Sequence, residues 1–199
     1  MSWLLALHSS SPVLGVGLLD LARPDQPPRL EAFDLGRGLS NQLIACLETV
    51  LPAPRWGELV RLAVATGPGS FTGTRLTVVL ARTLAQQLQV PLDGISSFQL
   101  VASRLGLNEA TWLGQTLPRR GVVAGLYGPD PQQGGAVCEL ARPRLFAAGS
   151  ALPPGPRAEA VVQIPADVAG LLAISAARGA APAAWQTVLP IYPTSPVEP

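Results

Sequence analysis

Thr66 to Arg75 reads TGPGSFTGTR, with glycines at 67, 69 and 73 and Pro68 between the first two. On its N-terminal side, Arg61 to Thr66 (RLAVAT) is a short apolar run that predicts a strand. On its C-terminal side a helix is predicted from about Thr72 to Gln89. In it Leu76, Val79, Leu80, Leu84 and Leu88 form one stripe, and Val78, Ala81 and Ala85 form a second, small-residue face. Strand, Gly-rich turn and helix in that order can aim backbone N–H groups and a helix dipole at an anion. The spacing departs from the known phosphate loops. Glycine steps of two and then three mark a dinucleotide fingerprint, and here the steps are two and then four. A Walker A loop needs a lysine, and the chain has none. Two readings stay open on the residues alone. One is a tight structural turn in which Gly67 and Gly69 supply positive φ around Pro68. The other is an anion or partner site drawing on Gly67, Gly69, Ser70, Thr72, Gly73 and Arg75, the only cation nearby.

Outward from this turn the pattern alternates. Trp3 to Ser9, Val13 to Leu19 and Arg29 to Leu35 predict a three-stranded meander, with Ser-Ser-Ser-Pro as its first turn. A helix follows, capped by Ser40, carrying Leu43, Ile44, Leu47, Val50 and Leu51 and ended by Pro52 and Pro54. Pro91 to Ser96 starts another strand, and Ser96 or Ser97 caps a helix through Arg104. Beyond it the signals weaken. Arg120 to Tyr127 and Ala136 to Leu140 predict a hairpin, Val161 to Ile164 a short strand, and Ala166 to Arg178 a helix. Clusters such as GPDPQQGG (128–135) and LPPGPR (152–157) read as surface turns, and the closing PTSPVEP as an extended tail. The order β-β-β-α-β-α-β-α with a smaller remainder implies an α/β chain, a mixed sheet with helices packed on it. The division is a first lobe at 1–104 and a smaller second lobe plus tail at 105–199.

Composition narrows the chemistry. The 199 residues are 48% hydrophobic and 14% charged, against a usual charged share of roughly 25%. All 14 basic residues are arginine, against 13 acids, so the net charge is +1. The single histidine is His8. No lysine can grip a phosphate or form a Schiff base, and a metal site with two histidines is impossible. A Ser-His-Asp or Cys-His mechanism would have to run through His8. Scattered arginines at net +1 give no standing field for nucleic acid. Cys46 and Cys138 lack metal spacing and read as buried free thiols, with a disulfide open on paper. No apolar window is long enough to span a membrane, and the N-terminus lacks the features of a signal peptide, which points to a cytoplasmic protein.

GPGSFTGTRL (67–76) closely resembles the signature of the TsaB (YeaZ) family. Three further stretches agree: LLALHSSSPVLGVGLLD (4–20), LSNQLIACLETVL (39–51) and VLPIYP (188–193). The resemblance covers residues 3–104 well and the rest loosely. It implies a fold of the actin, sugar-kinase and chaperone-ATPase type with a reduced second lobe. It implies a non-catalytic scaffold in the formation of threonylcarbamoyladenosine at position 37 of tRNAs reading codons that begin with adenine. The partners implied are the catalytic subunit TsaD, a second copy of the chain, and TsaE through the complex, which also holds most of the tRNA. No cofactor is required by the chain itself, while ATP or ADP at the subunit junction stays open. The helices at about 40–51 and 72–89 would form the interface, with Leu43, Leu47, Val78, Ala81 and Ala85 as its candidates. No catalytic or metal-binding residue is implied. Family members commonly carry an acid where this chain has His8, and acids in place of Leu117 and Val122. The competing reading is a stand-alone small-molecule kinase or ATPase of the same superfold.

Overall fold

A computed structural model describes residues 2–130, 134–179 and 182–193; the tail beyond Pro193 and the middle of the GPDPQQGG loop lie outside them. Five strands form the first sheet: β1 (Trp3–His8), β2 (Val13–Asp20), β3 (Arg29–Asp34), β4 (Leu59–Ala65) and β5 (Leu92–Ile95). Their order is β3-β2-β1-β4-β5, antiparallel through the opening meander and parallel at β1–β4 and β4–β5. The helices α1 (Leu39–Val50) and α2 (Phe71–Leu88) cover one face, where Leu5 and Leu7 point. Leu4 and Ala6 point to the other face, against α4 (Ala166–Ala177). Cover on both sides is why β1 is an unbroken apolar run rather than an alternating one.

The second sheet has four strands: β6 (Thr111–Leu117), β7 (Gly121–Asp130), β8 (Ala136–Ala147) and β9 (Arg157–Glu159), in the order β8-β7-β6-β9. Helix α3 (Ser97–Leu105) lies between the sheets and packs Phe98, Val101 and Ala102 against Leu113, Val123 and Tyr127. The fold is therefore the predicted α/β one, mixed sheets with helices. No helix of the described residues is long and apolar enough to cross a membrane.

Several local expectations are corrected. β6 was unforeseen, because Gly114, Gln115 and Thr116 interrupt its apolar pattern. Val161 to Ile164 pairs with no strand; Arg157–Glu159 does, parallel to β6. Ser40 is not a cap: α1 follows Gly38, and the Ser40 hydroxyl bonds Asn41 instead. Ser96 holds the cap position of α3 but makes no cap bond; its Oγ meets Tyr127 Oη at 3.0 Å. Cys46 is buried and Cys138 half-buried, both free thiols.

A boundary at 104 separates the two sheets but not the layers. α4, from the second half, lies on β1, β2 and β4. Residues 182–193 also return to the first sheet: Leu92 N–H donates to Ala183 O, Ile191 N–H donates to Thr66 O, and Val188 joins the α1–α2 core. A buried ion network fastens α4. Asp93 on β5 accepts from Arg61 on β4 at 2.7 and 3.1 Å, from Arg178 at 2.7 Å, and from the Ser175 hydroxyl. Burial pushes the Asp93 carboxyl up, yet these three donors hold it below the usual carboxylate range.

Candidate functional site

The Gly-rich turn owes its glycines to a close approach of backbones. Gly67 has φ +87° and Gly69 φ +157°. A Cβ on Gly69 would lie 2.2 Å from the Ser10 carbonyl oxygen, and one on Gly73 would lie 2.6 Å from that of Ser9. The turn is thus pressed onto the first hairpin turn, and Ser70 N–H donates to Ser10 O at 2.8 Å. Ser70 then caps α2, its Oγ accepting from Gly73 N–H at 3.3 Å.

Hydroxyls knit the same junction. Ser9 Oγ and Thr77 Oγ1 are 2.7 Å apart, Ser10 Oγ and Ser97 Oγ 2.6 Å, and Thr74 Oγ1 donates to Ser10 Oγ at 3.3 Å. Three elements, the first hairpin turn, α2 and α3, are joined by short side chains without a charge among them. His8 ends β1 fully buried beside this cluster. Ser10 N–H donates to its Nδ1 at 3.4 Å, whereas Nε2 has no partner. Burial lowers its pKa to about 4, against the opposing pull of Asp167, so the ring is neutral at physiological pH.

Two hollows flank the junction. One, about 520 Å³, lies where α1 and α2 both begin and is lined by Ser11, Arg37, Ser40, Ser70, Thr72 and Gly73 among others. The other, about 530 Å³, is the cleft between the sheets, lined by Ser10, Gly69, Ser70, Gln115, Glu159 and their neighbours, with no arginine. Of the residues singled out at the turn, Gly69, Ser70, Thr72 and Gly73 reach one or both hollows. Gly67 and Arg75 line neither, and Arg75 is exposed on the next turn of α2.

The five interface candidates require correction. Leu43, Leu47, Val78, Ala81 and Ala85 are all buried in the chain's own core against β1, β2 and β4. Side chains already removed from water there have no area to offer a partner. The outward apolar positions are their neighbours Ile44 (54% exposed) and Val79 (53%), with Leu76 and Leu80 partly covered. Each exposed residue follows a core residue by one position, about 100° round the helix. A second apolar residue so far off the core stripe was the signal that could have found them. Among the described residues no group of three or more His, Cys, Asp or Glu side chains could hold a metal ion.

Comparison with known proteins bears on this arrangement. A model of the TsaD family, tRNA N6-adenosine threonylcarbamoyltransferase, matches residues 37–118, a stretch holding α1, the Gly-rich turn and α2. A Bacillus subtilis (strain 168) relative named tRNA threonylcarbamoyladenosine biosynthesis protein TsaB is 34% identical over 104 residues, 50% of this chain and 43% of its own length. A protein of the same name from Buchnera aphidicola subsp. Schizaphis graminum (strain Sg) is 36% identical over 47 residues, 24% and 22% of the two chains. The matched stretches span under half of either relative. Two solved Pseudomonas aeruginosa structures share the fold at 20% identity. One is described as similar to the peptidase YEAZ (TM-score 0.73, covering 98% of this chain and all of that one), the other as YeaZ (0.70, 96% and all). The matches in sequence to proteins named TsaB, with the fold shared with the YeaZ structures, support the TsaB (YeaZ) family for this chain.

Proposed function

We propose that this chain is a non-catalytic, activating subunit in the formation of threonylcarbamoyladenosine on tRNA, and that it works by docking TsaD through the outer faces of α1 and α2. The observation that carries this is the exposed apolar pair Ile44 and Val79 on those helices, inside the stretch that the TsaD family model matches. Large apolar side chains half open to water on adjacent helices are area available for association. The same face would serve the homodimer, and TsaE and tRNA would join through the complex. The hollow where both helices begin is where ATP or ADP would meet the junction, with Arg37 as its cation.

The decisive experiment is co-purification with TsaD from the same organism, followed by assay of the modified tRNA. Ile44→Asp with Val79→Asp should abolish both while leaving the melting curve of the single chain unchanged. Retained binding in that folded variant would sink the interface. Robust ATP turnover by the chain alone would instead favour the kinase or ATPase reading. The cleft disfavours that reading, because no basic side chain lines it to hold a polyphosphate.

A further inference from the structure

β7 and β8 pair out of step. β8 has 12 residues against the 10 of β7, and the register slips twice, between Tyr127 and Leu126 and again between Leu126 and Ala124. These slips decide where two charges point. Glu139 stands opposite Tyr127, whose ring packs beneath α3, so its side chain faces α3 as well. Arg142 lies three residues further on, and in a regular strand it would point to the other face. The extra residues turn it back, as bulges do, and Glu139 and Arg142 both line one cavity of about 550 Å³. Its other walls are Thr66 and Gly94 at the ends of β4 and β5, Ser96 and Gln99 in the first turn of α3, and the returning segment 187–191. It shares no lining residue with the two hollows at the Gly-rich turn.

One end of this cavity is built for a cation. Tyr127 is fully buried, and burial pushes its phenol up, so it keeps its proton. It donates that proton to Glu139 Oε2 at 3.2 Å. In its 3.0 Å contact with Ser96 Oγ the serine is then the donor and the phenol oxygen the acceptor. Both ends of the chain are left as acceptors: the Glu139 carboxylate and the lone pairs of Ser96 Oγ, each one hydrogen bond from the same phenol. Arg142 does not answer that carboxylate. Its Nε stands 3.8 Å from Oε1, outside hydrogen-bond range, on a side chain almost wholly exposed. Glu139 and Arg142 are the only charged side chains among the described residues that line the cavity, and Pro143, Val188, Pro190 and Ile191 supply apolar surface.

We infer that this cavity binds a free α-amino acid with a large apolar side chain. One acid and one base around a single space call for a ligand that carries both charges. The α-ammonium, with three N–H donors, meets Glu139 and Ser96 Oγ. The α-carboxylate meets the Arg142 guanidinium, which its exposed stem can carry there. The side chain lies against Pro143, Val188 and Ile191. A polyphosphate would be set against Glu139, and a polyamine would find a single carboxylate with an arginine beside it. The site goes beyond the docking of TsaD and is tested without it.

Isothermal titration calorimetry of the full chain with L-phenylalanine and with L-leucine tests this. At least one of them should bind saturably below about 1 mM. The N-acetyl and amide derivatives of that amino acid, which lack the ammonium and the carboxylate in turn, should each bind at least tenfold more weakly. Glu139→Gln should weaken the amino acid at least tenfold and should not weaken the N-acetyl derivative further. Arg142→Ala should likewise weaken the amino acid and spare the amide. Arg142 is exposed, so its variant keeps the test informative if Glu139→Gln fails to fold. No saturable heat with either amino acid would overturn the inference. So would equal affinity for the derivatives, or losses in both variants that ignore which charge the ligand carries. None of these results depends on whether TsaD binds.

Discussion

Arg61 and Arg144 stand on neighbouring sheets of one chain and do opposite things. Arg61 is enclosed with Asp93, whose carboxylate is wholly buried and shared with Arg178 and Ser175. It ties β4 and β5 to α4 and so keeps the second half of the chain on the first sheet. Arg144 is exposed, lies on the Phe146 ring, and has no acid beside it. A charge that is paired and buried holds layers together. A charge left unpaired on an open face is available to something outside. The difference teaches that one residue type serves as an internal tie where it is buried and paired and as open surface where it is not.

Breaking the inner network should have the largest effect. Asp93→Asn removes the shared carboxylate charge while Arg61 stays enclosed, and should cost about 3–5 kcal/mol, read as a fall in urea midpoint at constant slope. A loss under about 1 kcal/mol would mean that α4 is held by its apolar contacts alone.

The next effect is a pH dependence of the same interior. His8 has a folded pKa of about 4, lowered from 6.5. The unfolded chain therefore binds the proton more readily. Stability from this group is present above pH 6.5 and is lost as pH falls toward 4, by about 3 kcal/mol in all. His8→Gln should remove that slope between pH 6.5 and 4. An unchanged slope in the variant would assign it to other groups.

The smallest effect sharpens the outer side of the comparison. Arg144→Ala should change stability by no more than about 0.5–1 kcal/mol, the worth of an exposed cation–π contact. A loss of several kcal/mol in thermal melting would show that this arginine is as structural as Arg61.

Much of the first sheet was legible from residue pattern. The three-stranded opening, the strand before TGPGSFTGTR and the helix after it are where the sequence places them, because apolar runs and turn residues are local signals. β6 was not legible. Its interior Gly114, Gln115 and Thr116 make sense only once Gln115 and Leu117 are seen to line the cleft and Gly114 to lie beside Ala124. The residues expected at an interface lie in the core for a related reason. On α1 and α2 a period of 3.6 marks an apolar face, but not whether that face meets the chain's own sheet or another molecule. Leu47 and Ala81 proved to be core, and Ile44 and Val79 open.

By itself the sequence determined the α/β alternation, the absence of lysine and of a second histidine, and the Gly-rich turn that carries the family resemblance. All of these follow from residue identity and near-neighbour spacing. Only the tertiary structure decided what the turn's glycines are for. Gly69 and Gly73 are tight because Ser9 and Ser10, some sixty residues earlier in the chain, bring their carbonyls within reach of any Cβ placed there. Only the tertiary structure decided, too, which arginines are neutralised. Ion pairing depends on partners such as Asp93 and Asp167, which lie 32 and 63 residues from their arginines. No local pattern records distances of that kind.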